Sequence, residues 1–201
     1  QVARFLSLDV DGTPWPGTVN GSKQKLPTII KTNNTISRTT TVSAAVFQGV
    51  KPGEDPRLAT MWTILGDPSF SIAVPCWVEV QEIADPLADE KGAELGEIAI
   101  TLRAWSKTED GKGIHTEYLP GIWSDLWPVE DQILKLTRQF QTERIQHGFS
   151  AGAITRFHQK MASLAMTAMQ KELRDMKQAA LSLPAPPPPR FSPVKKTIVI
   201  P

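Results

Sequence analysis

Three apolar stretches separated by short turns constrain the fold of this chain most strongly. They cover residues 39–50, 58–65 and 69–80, the last interrupted at Pro75. A loop with two prolines separates the first pair, and the turn Gly66-Asp67-Pro68 separates the second. Their content of β-branched and aromatic residues is typical of strands. Three strands joined in this way predict an antiparallel meander, and the alternation of residues 6–10 predicts one more strand.

Beyond Pro86 the apolar residues follow the period of a helix. Positions three or four apart are occupied by Leu95, Ile98, Leu102 and Trp105, which favours a helix. Because Ile98, Ile100 and Leu102 also alternate, a hairpin with its turn at residues 110–113 is the alternative.

Two further helices are predicted, over residues 130–146 and about 151–181. Gly148 is a suitable stop for the first and Ser150 a suitable cap for the second. The methionines on the second helix are expected to pack in a core or an interface. The fold class is therefore α+β. We assign residues 1–183 to one domain and 184–201 to a proline-rich tail that ends in an edge strand.

Composition excludes several function classes. The formal net charge is +1, which does not favour a nucleic-acid partner, and no apolar run reaches the length of a membrane span. The only cysteine, Cys76, rules out an internal disulfide and a cysteine zinc site. Within an apolar stretch we expect its thiol to be buried and inert. We expect His147 and His158, on charged helical stretches, to be solvated.

Residues 37–78 carry a recognisable layout, about a fifth of the chain. An arginine opens a strand, and a loop of Gly, Glu and Pro follows it. A Met-Trp strand, a Gly-Asp-Pro turn and a Pro-aromatic strand complete the segment. This layout resembles the carboxyl-terminal half of the penicillin acyltransferase-like family, which is related to choloylglycine hydrolases. The resemblance implies an αββα sandwich of the N-terminal-nucleophile hydrolase type, of which this chain supplies the later half.

The resemblance also implies a reaction. In this family an amino-terminal cysteine, exposed by autoproteolysis, attacks an amide-linked acyl group, and its own α-amino group is the base. Arg38 matches the family's arginine beside the nucleophile, where a guanidinium lowers the thiol pKa. Trp62 and Trp77 are candidates for the wall of the acyl pocket, although tryptophans on strands more often pack in a core. No metal or organic cofactor is expected.

The chain departs from the family at its first residue, Gln1, which is not a nucleophile. We therefore expect the cysteine to lie on an upstream or partner chain, and this chain alone to be inactive. The expected partners are that upstream chain, a small amide or acyl substrate, and further copies of the protein. The family points to a secreted or periplasmic location. The alternative function is that of a non-catalytic structural or assembly protein.

Overall fold

The computed structural model describes residues 28–32, 37–38, 40–90, 92–148 and 150–182. This part of the chain is α+β, with three helices and two small antiparallel sheets. The strands are β1 (Ile29–Lys31), β2 (Ser43–Gln48), β3 (Thr60–Leu65), β4 (Val74–Cys76) and β5 (Gly113–His115). The helices are α1 (Glu94–Ser106), α2 (Leu119–His147) and α3 (Ala151–Ser182). The strand predicted over residues 6–10 and the tail 184–201 lie outside the described residues.

The larger sheet confirms the predicted antiparallel meander. Its order is β2-β3-β4, with Ser43 opposite Leu65 and Met61 opposite Cys76. The strands are shorter than the sequence pattern predicts, because short 3-10 helices occupy Pro56–Leu58 and Pro68–Phe70. Pro75 remains inside β4, which is an edge strand of this sheet, where a missing backbone N–H is tolerated.

The helical predictions are confirmed, with one boundary changed. Residues 94–106 form α1 rather than a hairpin, and Gly148 ends α2 with a positive φ of 82°. Helix α2 begins at Leu119, well before the predicted start, and contains Pro128. Proline usually ends a helix, so the residues that precede Pro128 do not read as helical from sequence. No helix in the described ranges has the length and hydropathy of a membrane span.

The core lies between the larger sheet and the helices. Trp62 and Ile64 of β3 are buried there, together with Met161 and Met169 of α3, so the α3 methionines pack in the core as predicted. The opposite face of β2 is different. Its side chains at Ser43, Ala45 and Phe47 are exposed, and Phe47 is 77% exposed. The helices therefore cover one face of the sheet, while the other face is open along β2.

The smaller sheet pairs β1 with β5 and was not foreseen. Ile30 lies opposite Ile114, and Lys31 lies opposite Gly113. A Cβ at Gly113 would lie 2.7 Å from the carbonyl oxygen of Ile30, so the close approach of these strands depends on glycine. Each strand has three residues, too few for a period-two pattern to stand out in sequence.

Gly66 joins the larger sheet to α1 at very close range. Its φ is 77°, and an added Cβ would lie 2.5 Å from Ala99 Cβ and 2.9 Å from the Gly96 carbonyl oxygen. We expect Gly66→Ala to lower the free energy of unfolding by about 3–5 kcal/mol, from backbone strain and steric overlap together.

Gly53→Ala is the matched control for this substitution. Gly53 has a φ of 85° but nothing within 4 Å of an added Cβ, so only the backbone strain of about 1–2 kcal/mol applies. Urea unfolding of both variants measures the difference. Equal losses of stability would show that the contact with α1 contributes nothing.

Candidate functional site

A shallow apolar groove lies at the end of the larger sheet where Gln48 pairs with Thr60. Its volume is about 360 Å³, and its lining includes Phe47, Met61, Cys76, Trp77 and Val78. Phe47 and Val78 are 77% and 85% exposed. The groove falls within the 300–1,000 Å³ range of small-molecule sites, and it adjoins the open face of β2.

The polar side chains of the groove are engaged within the protein. Gln48 Oε1 accepts a hydrogen bond from the Trp62 indole at 3.1 Å. The Thr60 hydroxyl donates to the Leu58 carbonyl at 2.9 Å and accepts from Gln141 Nε2, also at 2.9 Å. None of the lining residues that the structure describes is charged. The groove therefore suits an uncharged, apolar group rather than an ion.

The two tryptophans singled out from sequence are both 4% exposed. Trp77 packs against Phe140 and Phe157, with ring centroids 5.8 and 5.9 Å away, and it also borders the groove. Trp62 lies on the helix-covered face of β3, in the core. Both are thus core residues, and Trp77 alone of the two adjoins the groove.

Cys76 and His158 do not form a catalytic pair. Burial raises the pKa of the Cys76 thiol, which lies 3.9 Å from the Trp77 carbonyl oxygen. His158 Nε2 accepts a hydrogen bond from the Ala84 N–H at 3.1 Å, and Nδ1 donates to the Pro75 carbonyl at 2.9 Å. Because both ring nitrogens are occupied by backbone groups, His158 has no nitrogen with which to accept a thiol proton.

The expectation that His158 is solvated is wrong, because its side chain is fully buried. The histidine joins α3 to Pro75 and to Ala84, and Thr155 adds a contact between them by accepting from the Gln81 N–H at 3.0 Å. Burial lowers the pKa of His158, although the bond to Pro75 acts in the opposite direction. The polar character of its neighbours in sequence gave no sign of this role. His147, in contrast, is exposed as expected.

Arg38 lies in a turn ahead of β2, not at the first position of the strand. Its backbone N–H donates to Thr41 Oγ1 at 3.0 Å, and the Thr41 N–H donates to the Arg38 carbonyl at 3.0 Å. Its side chain is exposed. Ser43 and Gln48 are at opposite ends of β2, a length of about 17 Å at 3.3 Å per residue. The structure therefore does not bring Arg38 next to the groove.

A buried ion pair contacts Ser37, the residue before Arg38, and was not predicted from the sequence. Asp67, in the turn after β3, pairs with Arg103 of α1, and they are 0% and 6% exposed. Burial lowers the pKa of Arg103, yet a guanidinium with a carboxylate partner stays protonated at neutral pH. One signal could have shown that Arg103 is buried: it follows Gly96 and Ala99 at helical spacing, on the buried face of α1.

Arg103 also donates hydrogen bonds to two segments between the small sheet and the meander, one directly after β1 and one ahead of β2. Its Nη2 donates to Thr32 Oγ1 at 3.0 Å, and its Nη1 lies 3.3 Å from the Ser37 carbonyl oxygen. Asp67 Oδ1 accepts from the Ser69 N–H at 2.8 Å. These five residues form what we call the Asp67–Arg103 network.

No group of His, Cys, Asp and Glu within the described ranges is arranged to hold a metal ion. Comparisons of the chain with protein-family models, with curated proteins and with solved structures find no match.

The hydrogen bonds of His158 predict a loss of stability in acid. Because its pKa is lowered from the ordinary value of 6.5, the unfolded chain binds a proton that the folded chain does not. The free energy of unfolding therefore falls as the pH drops from about 6.5 towards the folded pKa, and this group contributes no dependence above that window. Urea unfolding at pH 7 and pH 5 measures the fall.

His158→Gln should remove this part of the pH dependence, whereas His147→Gln at an exposed site should leave it intact. Glu172 is buried, and burial together with Asp125 raises its pKa, so it acts in the opposite direction in wild type and in both variants. If His158→Gln showed the same fall in stability as wild type, the buried imidazole would not be its source.

Proposed function

We propose that this chain is the later half of a cysteine-type N-terminal-nucleophile amide hydrolase or acyltransferase. In this proposal it supplies one sheet and one helical layer of an αββα sandwich, and the nucleophilic cysteine lies on an upstream or partner chain. The substrate is a molecule with an amide-linked acyl group. The chain is inactive by itself.

The observation that carries the proposal is the one-sided covering of the larger sheet. In an αββα sandwich each sheet has helices on one face and the second sheet on the other, about 10 Å away. Trp62 and Ile64 face the helices, whereas Ala45 and Phe47 of β2 are exposed on the opposite face. An exposed phenylalanine on the uncovered face of a sheet is what a half-sandwich presents before its partner sheet covers it.

This open face lies within the segment that carries the family resemblance. Strands β2, β3 and β4 all fall inside residues 37–78. The groove beside Trp77 has an uncharged lining, which suits the apolar part of an acyl substrate. Arg38 is at the other end of β2. In the proposed enzyme it therefore lies at the end of the substrate that carries the amide bond. The groove then contacts the far end of the acyl group or belongs to the interface with the partner chain.

A second candidate function is that of a non-catalytic assembly protein. It is favoured by the state of the one cysteine, since Cys76 is buried with a raised pKa, and His158 has both nitrogens engaged. Docking of a partner chain on the open face would then be the whole function. The two candidates share the same surface and differ in whether the complete protein turns over an amide.

Arg38→Ala in the complete protein tests the enzymatic proposal. Losing one charge-assisted contact at a partly desolvated site costs on the order of 2–3 kcal/mol, or about 30- to 150-fold in rate. We therefore expect the turnover of N-acyl amide substrates to fall by that factor. Thermal unfolding should change little, because the side chain of Arg38 is exposed.

Arg57→Ala is the matched control. Arg57 is an exposed arginine that forms an ion pair with Asp55 at 2.6 Å in the loop before β3, and its loss should leave turnover unchanged. Equal turnover in Arg38→Ala and wild type would contradict the role of Arg38. If the complete wild-type protein hydrolysed no N-acyl amide, the assembly role would replace the enzymatic one.

A further inference from the structure

The Asp67–Arg103 network fixes the backbone directly before Arg38. Ser37 is 3% exposed, and its carbonyl oxygen lies 3.3 Å from Arg103 Nη1. Its hydroxyl accepts a hydrogen bond from Ser69 Oγ at 3.1 Å. Ser69 is in turn held by Asp67, which accepts from its N–H. Ser37 is therefore attached through both its backbone and its side chain to one buried ion pair.

The backbone of Arg38 is also held by Thr41, which follows it in the turn. Its N–H and its carbonyl both bond to Thr41, at 3.0 Å each. The result is an exposed, charged side chain on a backbone with buried supports. A functional side chain needs such support, because a displacement of about 1 Å at a reacting group costs orders of magnitude in rate.

We infer that Arg103 and Asp67 are positioning residues, which hold Ser37 and so set the place from which the Arg38 guanidinium reaches the reacting groups. This inference rests on the proposed function, since it assigns a purpose to Arg38. The ion pair does not touch substrate in this account. It acts through the Ser37 carbonyl and the Ser69 hydroxyl.

The presence of a buried ion pair, rather than apolar side chains, at this place favours a positioning role over a purely stabilising one. Taking two charges out of water is costly, and apolar side chains of similar volume often stabilise a fold as well or better. What apolar side chains cannot do is donate to two separate segments. Arg103 donates to Thr32 and to Ser37 while it is held by Asp67, so it attaches α1 to three other parts of the chain.

A double variant, Asp67→Asn with Arg103→Met, separates positioning from stability. Asparagine keeps an acceptor for the Ser69 N–H, and methionine keeps much of the arginine stem. Because no charge remains buried without a partner, the double variant should lose less stability than Arg103→Met alone, which should be strongly destabilised. Arg57→Met is the control for loss of an arginine at an exposed ion pair.

Hydrogen–deuterium exchange of the complete protein reads the positioning directly. In the double variant we expect amides in the peptide that spans residues 28–42 to exchange about tenfold faster or more, since two bonds from a charged donor are lost. Peptides from α3 should be unchanged. Unchanged exchange at residues 28–42, or an equal increase over the whole chain, would overturn the inference.

Kinetics then test the link to Arg38. The double variant should lose kcat by a factor comparable to that of Arg38→Ala, with KM nearly unchanged, and adding Arg38→Ala to it should cost little more. Full additivity, or an unchanged kcat despite faster exchange, would overturn the positioning role while the proposed function stands. If the wild-type protein had no activity, the proposed function would fail, and with it the purpose assigned to the network, although exchange would still report the attachment.

Discussion

The buried ion pair between Asp67 and Arg103 is the interaction on which the arrangement of this chain most depends. It connects the turn after β3 to α1, and Arg103 extends the connection to Thr32 beside the small sheet and to Ser37 before β2. The Trp123 indole of α2 joins the same region by donating to the Ser69 carbonyl at 2.9 Å. Removing one member would leave a buried charge without its partner, which costs about 3–5 kcal/mol.

This ion pair requires the close contact between Gly66 and α1. Gly66 lies against Gly96 and Ala99, and Arg103 is located further along the same face of the helix. The small residues allow the turn to approach the helix, and the approach brings Asp67 to the guanidinium. The close contact of Gly66 with α1 and the ion pair of Asp67 with Arg103 therefore lie side by side, and together they attach the sheet to the helical layer.

The larger sheet packs one face against the helices and leaves the other face open along β2. The covered face supplies the core through large apolar side chains such as Trp62 and Ile64. The exposed residues on the other face of β2, with the uncharged groove at its end, form a surface that water solvates poorly. The half-sandwich proposal places a second sheet on this face.

Local patterns in the sequence predicted much of this fold. The meander, α1 and α3 follow from periodicity and turn residues, because their signals lie within contiguous stretches. The pairing of β1 with β5 and the burial of His158 could not be predicted in this way, since each depends on contacts between residues far apart in the chain. Arg103 marks the boundary between these cases: its place on the buried face of α1 was readable, but its partners were not.

The open face of β2 offers the most direct test of the half-sandwich account. Phe47→Cys places a thiol on that face, and Ser163→Cys places one on an exposed position of α3. Maleimide labelling at positions 47 and 163 would be followed by peptide mass spectrometry in the complete native protein, so that neither the buried Cys76 nor a cysteine of the partner chain contributes. The account predicts that the thiol at position 47 reacts at least about tenfold more slowly than the one at position 163, since a partner sheet covers it. Equal, rapid labelling at both positions would contradict it.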